Sequence, residues 1–225
     1  MDANKRKATA SNSSAVTAFV ILFVTIAAYL SCALFEENQL YTMPVSSEQD
    51  VFSPASVKRS RGYLEKLASI GPRIAGTVQN ELIAKDYIVK IISDISKNVA
   101  LLKVFDFEVD IQHPCGSYHL DFLNRFTNIY CNITNVIVKL SPKRLATSKD
   151  ELPSLLVNAH FDSFVMSSGA SDDLAGVAVM LEVMQLLASD VDSANEYKNS
   201  VIFLLNGAEE SNLQGAHGFI TQHRY

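Results

Sequence analysis

The chain has 225 residues, 48% of them hydrophobic, with 19 Lys and Arg against 24 Asp and Glu for a net charge of −5. That mild acidity, with no basic stripe and no run of cations longer than three, excludes an electrostatic nucleic-acid footprint. The length allows one globular domain of ordinary size and a further segment, and neither fixed-period repeats nor low-complexity tracts occur.

The further segment lies near the start. Ala15–Phe35 reads AVTAFVILFVTIAAYLSCALF, without a charged residue. As a helix it would be roughly 31 Å long, about the thickness of a bilayer's hydrocarbon core. Lys5, Arg6 and Lys7 precede it, and Glu36 and Glu37 follow. The cytosolic bias of Lys and Arg therefore predicts a cytosolic tail over 1–14, a transmembrane signal anchor over 15–35 and a body on the far side. A cleaved signal peptide ending at Ser31-Cys32-Ala33 is the alternative, but its apolar core would exceed the usual ~7–15 residues. Residues 36–56, holding Pro44, Pro54 and several Ser, read as a polar linker.

From Val57 the spacing of Val57, Leu64, Leu67 and Ala68 predicts a helix that stops at Ile70-Gly71-Pro72. A second helix is predicted from about Val78 to Ser96, with Ala84, Tyr87, Ile88, Ile91 and Ile95 on one stripe. Val104–Ile111 alternates apolar and acidic residues, the pattern of a half-exposed strand, and Val136–Leu140 reads as another. Between them, Cys115 and Cys131 can close a disulfide in an oxidising compartment or remain two thiols. Asn132-Ile133-Thr134 is an N-glycosylation sequon on the predicted lumenal side.

Leu155–Ala159 and Val201–Leu205 are short apolar runs, and between them Val177, Met180, Leu181, Met184, Leu187 and Ala188 give helical spacing over Asp173–Ala188. Strand, helix and strand with apolar strands predict a βαβ unit in a covered sheet, whose ligands bind at the carboxyl ends of the strands. The expected fold is α/β, with a mostly parallel mixed sheet and helices on both faces. At those strand ends the sequence places His160-Phe161-Asp162, Gly169-Ala170-Ser171-Asp172-Asp173 and Glu209-Glu210. Three acid-bearing corners at one sheet edge point to a shared metal site rather than to independent surface acids.

Imidazole and carboxylate are ordinary zinc ligands. A pair of metals ~3.5–4 Å apart needs an oxygen that reaches both, which makes Asp172 the natural bridge. Asp162 points the same way as His160 along an extended backbone and can orient its ring. One member of the Glu209–Glu210 pair can ligate while the other serves as general base. Asp173 reads as a helix N-terminal acid. His217 reads as structural or surface, His113 and His119 lack ligand-spaced partners, and Ser163 and Ser168 lack a nucleophile-elbow setting.

The wording NAHFDS, SGASDDLAGVA and FLLNGAEE with LQGAHGF, preceded by IGPRIAGTVQNELIAKDYI, resembles the co-catalytic zinc exopeptidases, a family of aminopeptidases and glutaminyl-cyclase-like enzymes. The likeness covers roughly residues 57–223 and extends to members anchored in the endoplasmic reticulum membrane. It implies two zinc ions, with His160 and Glu210 on one each, Asp172 bridging, Glu209 as base and Asp162 orienting His160. It implies hydrolysis of peptide or protein substrates in the endoplasmic reticulum lumen, of aminopeptidase type. An inert lumenal interaction domain and glutaminyl cyclisation are the alternatives. The family's further acid and distal His fall past Tyr225, so the chain is expected to be a truncated copy, inactive by itself.

Overall fold

The computed structural model describes residues 3–42, 53–143, 153–192, 194 and 196–222. The chain forms two units, Met1–Ser53 and Pro54–Tyr225. In the first, helix α1 spans Ala3–Thr42. Its segment Val16–Phe35 is long and apolar enough to cross a membrane, and none of it is buried within the protein. The polar linker expected over 36–56 is shorter. Helix α1 continues to Thr42 through Glu36, Glu37 and Gln39, which are good helix formers. The next helix already begins at Pro54, a residue pre-set for a first helical position. The rest of that linker, 43–52, lies outside the described residues.

In the second unit, α2 spans Pro54–Ala68, and α3 spans Lys85–Leu102 after a π-type turn over Gln79–Ala84. Helix α3 runs past Ser96 because Val99 extends its buried stripe of Ile88, Ile92 and Ile95. It ends where Lys103 turns left-handed, at φ 62°, with its N–H on the Val99 carbonyl. Strands follow at Phe105–Gln112 (β1), Gly116–Leu120 (β2), Phe126–Tyr130 (β3), Asn135–Pro142 (β4), Ser154–His160 (β5) and Ser200–Asn206 (β6). Helix α4 (Ala175–Ser189) joins β5 to β6, and α5 (Gln214–Gln222) follows β6.

The main sheet has the order β1-β4-β6-β5. Only β5 and β6 are parallel; β1–β4 and β4–β6 are antiparallel. The sheet is thus mixed, with a smaller parallel share than the expected mostly parallel one. The physical reason is that β1 returns to β4 through a separate hairpin, β2–β3, instead of a helical crossover. The half-exposed alternation of β1 already belongs to an antiparallel edge.

Alternate side chains of β4 and β6 serve opposite faces. Val136, Val138, Leu140, Phe203 and Leu205 join the main core with residues of α3 and α4. Ile137, Ile202 and Leu204 meet Phe219 of α5 on the other face. Full burial of each such side chain contributes about 1.5–3 kcal/mol. Helix α2 is tied to α4 by Arg59, whose Nη2 and Nε reach the fully buried Glu182 carboxylate at 2.5 and 3.1 Å.

Candidate metal centre

The parallel register aligns His160 with Asn206, so β5 and β6 end at one sheet edge. The ladder continues one step further, as the Phe161 N–H donates to the Asn206 carbonyl at 2.9 Å. The ring of Phe161 is fully buried there. It passes so close to Gly207 that a Cβ at 207 would lie 2.5 Å from it, which requires glycine at that corner.

Asp162 is fully buried and holds the edge together. Its Oδ1 accepts the Glu209 N–H and its Oδ2 the Glu210 N–H, each at 3.0 Å. Its carbonyl lies 3.2 Å, and its Oδ1 3.3 Å, from His160 Nδ1. One carboxylate therefore orients the imidazole and fixes the backbone of both glutamates. On the other side of the ring, Nε2 lies 3.1 Å from Asp172 Oδ1 and 3.7 Å from Glu209 Oε2.

The Asp172 side chain is 80% exposed, and it meets the imidazole at Nε2. Asp173, beside it, does what a helix N-terminal acid should. Its Oδ1 accepts the Gly176 N–H at 3.2 Å and its Oδ2 the His160 N–H at 3.3 Å. Glu210 is turned away from the imidazole, with its Oε1 accepting the Phe164 N–H at 3.1 Å. His160, Asp162, Asp172 and Glu209 thus come together, while Glu210 stands at the rim.

Burial by itself would lower the His160 pKa. The hydrogen bond to Asp162, the charges of Asp162 and Glu209 and the Asp172 contact outweigh it and raise the ring to about 9. Burial raises Glu209 above the ordinary carboxylate range, although His160 opposes this. At that pKa the ring carries both protons near neutral pH, Nδ1–H toward Asp162 and Nε2–H toward Asp172, and a metal ion held at Nε2 would replace the latter proton.

Two donors on one tetrahedral zinc, each ~2.0–2.2 Å from it, stand roughly 3.3 Å apart. The Nε2–Oδ1 separation of 3.1 Å fits that spacing, and the carboxylate behind Nδ1 is the usual support of a metal-binding His. Among the described residues no three His, Cys, Asp or Glu side chains form a ready-made cage. The fit therefore concerns the His160–Asp172 pair.

Other residues singled out from the sequence lie apart from this edge. Cys115 and Cys131 form a disulfide at the open end of the β2–β3 hairpin. Asn132 follows it, exposed and left-handed at φ 59°. His217 Nδ1 meets the Tyr130 hydroxyl at 2.6 Å, and its ring stacks on Tyr118, which ties α5 to the hairpin. His113 approaches Thr134, and His119 pairs with Thr127. Ser163 donates to the Ser167 carbonyl and accepts the Arg73 N–H, a structural use of the hydroxyl. Arg73 was not legible as part of the site. Its only sequence signal is a cation placed directly after the helix-ending Gly71-Pro72.

Solved structures with this fold are zinc-exopeptidase-type proteins. The LapA aminopeptidase of Legionella pneumophila superimposes with a TM-score of 0.54 at 16% identity, over 79% of this chain and 42% of that one. BSAP, a zinc aminopeptidase from Bacillus subtilis, gives 0.51 at 17% identity, over 74% and 65%. The class is therefore the zinc-exopeptidase fold. Residues 135–225 match peptidase family M28. Endoplasmic reticulum metallopeptidase 1 of Mus musculus is 45% identical over 166 residues, 74% of this chain. The chain belongs to the endoplasmic reticulum metallopeptidase group of that family. It spans 17% of the mouse relative's length.

Proposed function

We propose that the chain carries one side of a two-zinc exopeptidase centre of aminopeptidase type, on a body anchored in the endoplasmic reticulum membrane and facing its lumen. The observation that carries this reading is the imidazole of His160, backed at Nδ1 by buried Asp162 and facing Asp172 across 3.1 Å. His160 and Asp172 would hold one ion, Asp172 and Glu210 the other, and the turn of Glu210 away from His160 agrees with separate ions. When bound, zinc supplies Lewis acidity that polarises a peptide carbonyl and acidifies water. Glu209 accepts the water's proton at its carboxylate and passes it to the leaving amine. Asp162 keeps Glu209 in place through its backbone N–H.

A catalytic zinc takes three protein ligands. Among the described residues these offer two per ion with Asp172 shared, so each ion would need a further ligand. Anchoring is supported by the apolar Val16–Phe35 helix and by the name of the mouse relative. The test is peptide hydrolysis by a product that carries this chain and supplies those ligands, beside its Glu209→Gln variant. Bound zinc with hydrolysis lost in the variant supports the assignment; hydrolysis retained by the variant removes Glu209 from its role.

A further inference from the structure

Arg73 is the largest fully buried side chain among the described residues. A buried cation is costly unless it is used, and the described contacts show where this one is used. Its Nε donates to the Phe161 carbonyl at 2.7 Å, the peptide between His160 and Asp162. Its Nη1 donates to the Gly71 carbonyl at 2.7 Å and the Leu67 carbonyl at 3.4 Å. The backbone of Arg73 is tied to the same strand end in both directions. Its N–H donates to Ser163 Oγ at 2.9 Å, and its carbonyl accepts the Ser163 N–H at 3.0 Å.

The other end of the guanidinium, Nη2, is buried against the second corner and makes no hydrogen bond among the described residues, so its contact there is one of packing. At Gly169, with φ at +57°, an added Cβ would lie 2.9 Å from Arg73 Nη2, 2.7 Å from Ser163 Cβ and 2.8 Å from the Asp172 carbonyl. Arg73, Ser163, Gly169 and the Asp172 backbone thus converge at one point. Asp172 itself has an exposed side chain, so its approach to His160 depends on where its backbone is held. Arg73 hydrogen-bonds carbonyl oxygens of two segments and touches neither donor atom of the His160–Asp172 pair. The charge of buried Asp162 also favours the Arg73 cation, without a direct ion pair between them among the described contacts.

We propose that Arg73 is a positioning residue for the candidate zinc centre: its guanidinium and backbone together lock the His160–Ser163 strand end against the Gly169–Asp172 turn, and so set the His160–Asp172 spacing. The inference rests on the zinc reading above. It assigns the Gly71–Arg73 strap to metal affinity rather than to the fold alone.

The experiment uses a product that carries this chain and supplies the remaining zinc ligands, and compares the parent with its Arg73→Lys, Ser163→Ala and Arg59→Met variants. Zinc affinity is measured by competition with a chromophoric chelator, cobalt absorption reports ligand geometry, and thermal unfolding is followed in parallel. A single ammonium cannot span the Phe161 and Gly71 carbonyls as the fork does. Arg73→Lys and Ser163→Ala are expected to weaken zinc binding about 10–100-fold, the usual effect of losing a group that supports a metal ligand, and to alter the cobalt spectrum. Arg59→Met, which breaks the α2–α4 ion pair and removes no contact to the strap residues, is expected to lower the melting temperature with zinc affinity unchanged. Should Arg73→Lys fail to fold, Ser163→Ala reads the same strap. Parent-like zinc affinity and cobalt spectrum in both strap variants overturn the inference alone, as does an equal loss of affinity in Arg59→Met. A parent product that carries those further ligands and still binds no zinc overturns the zinc reading, and the inference with it.

Discussion

Asp162→Asn is the substitution that most directly tests the architecture of the strand edge. The shape is kept, but one carboxylate oxygen becomes an amide donor. Asp162 now accepts two backbone N–H groups, from Glu209 and Glu210, at 3.0 Å each. Hydrogen bonds to a charged acceptor contribute about 1.5–3 kcal/mol each. Asn can satisfy one N–H and must face the other with its own NH2, in a fully buried position. A loss of about 2–4 kcal/mol follows, a large part of the ~5–15 kcal/mol that stabilises a typical protein. The same change removes both Asp162 contributions that raise His160 and leaves burial to pull the ring down from about 9. The sign is fixed by linkage. A histidine raised in the folded state contributes stability that is present below its ordinary pKa of 6.5 and lost as pH rises through about 9. The metal-stripped parent should therefore lose stability across that window, and the variant should show a flatter profile. Urea unfolding of the detergent-solubilised chain, with a histidine titration by NMR, reads both quantities. An unchanged unfolding midpoint together with a ring still titrating near 9 would refute the assigned role of Asp162.

Three further outcomes follow from other parts of the fold. Cys115→Ser should cost about 3 kcal/mol, because the bond closes a loop with a sequence separation of 16; the check is denaturant unfolding of the variant beside the parent with and without reductant, where reduction should erase the difference. Gly207→Ala should destabilise by about 1–3 kcal/mol, since its Cβ would meet the Phe161 ring at 2.5 Å and the Thr134 carbonyl at 3.0 Å. Thermal unfolding measures that loss, and a parent-like melting temperature would count against the close packing of this corner. Asn132 is exposed, so lumenal orientation predicts an endoglycosidase-sensitive band that Asn132→Gln abolishes; an unglycosylated, protease-accessible body in intact microsomes would place it in the cytosol instead.

The parts of the fold that could be read from the sequence are those in which neighbouring residues carry the signal. Met180, Leu181, Met184 and Ala188 repeat at helical spacing and do bury one face of α4. The apolar runs flanking it do pair in parallel, which brings His160 and the Glu209–Glu210 pair to one edge. The hairpin β2–β3 was not legible because its strands are five residues each and their support is remote. Tyr118 and Tyr130 pack on His217, and Tyr118 donates to the Asn212 carbonyl, both far along the chain. The same limit applies within the site. The types of His160, Asp162 and Asp172 announce their chemistry, but that Asp162 grips the Glu209 and Glu210 amides follows only from the closing of the parallel register.

That division has a physical cause. A group offered to an ion or to substrate must keep a free face, and Asp172 is accordingly 80% exposed at its side chain. An exposed carboxylate cannot store its own orientation, because water competes for every hydrogen bond it makes. The orientation has to be held by groups that water cannot reach. Asp162 and Arg73 are both fully buried, and between them they hydrogen-bond backbone groups of the segments that carry His160, Glu209 and Glu210, while Arg73 Nη2 packs near the Gly169–Asp172 turn. Loss of the exposed acid should leave the fold standing. Loss of either buried clamp should disturb the fold and the site together, so stability and metal affinity have to be measured side by side to tell the two kinds of residue apart.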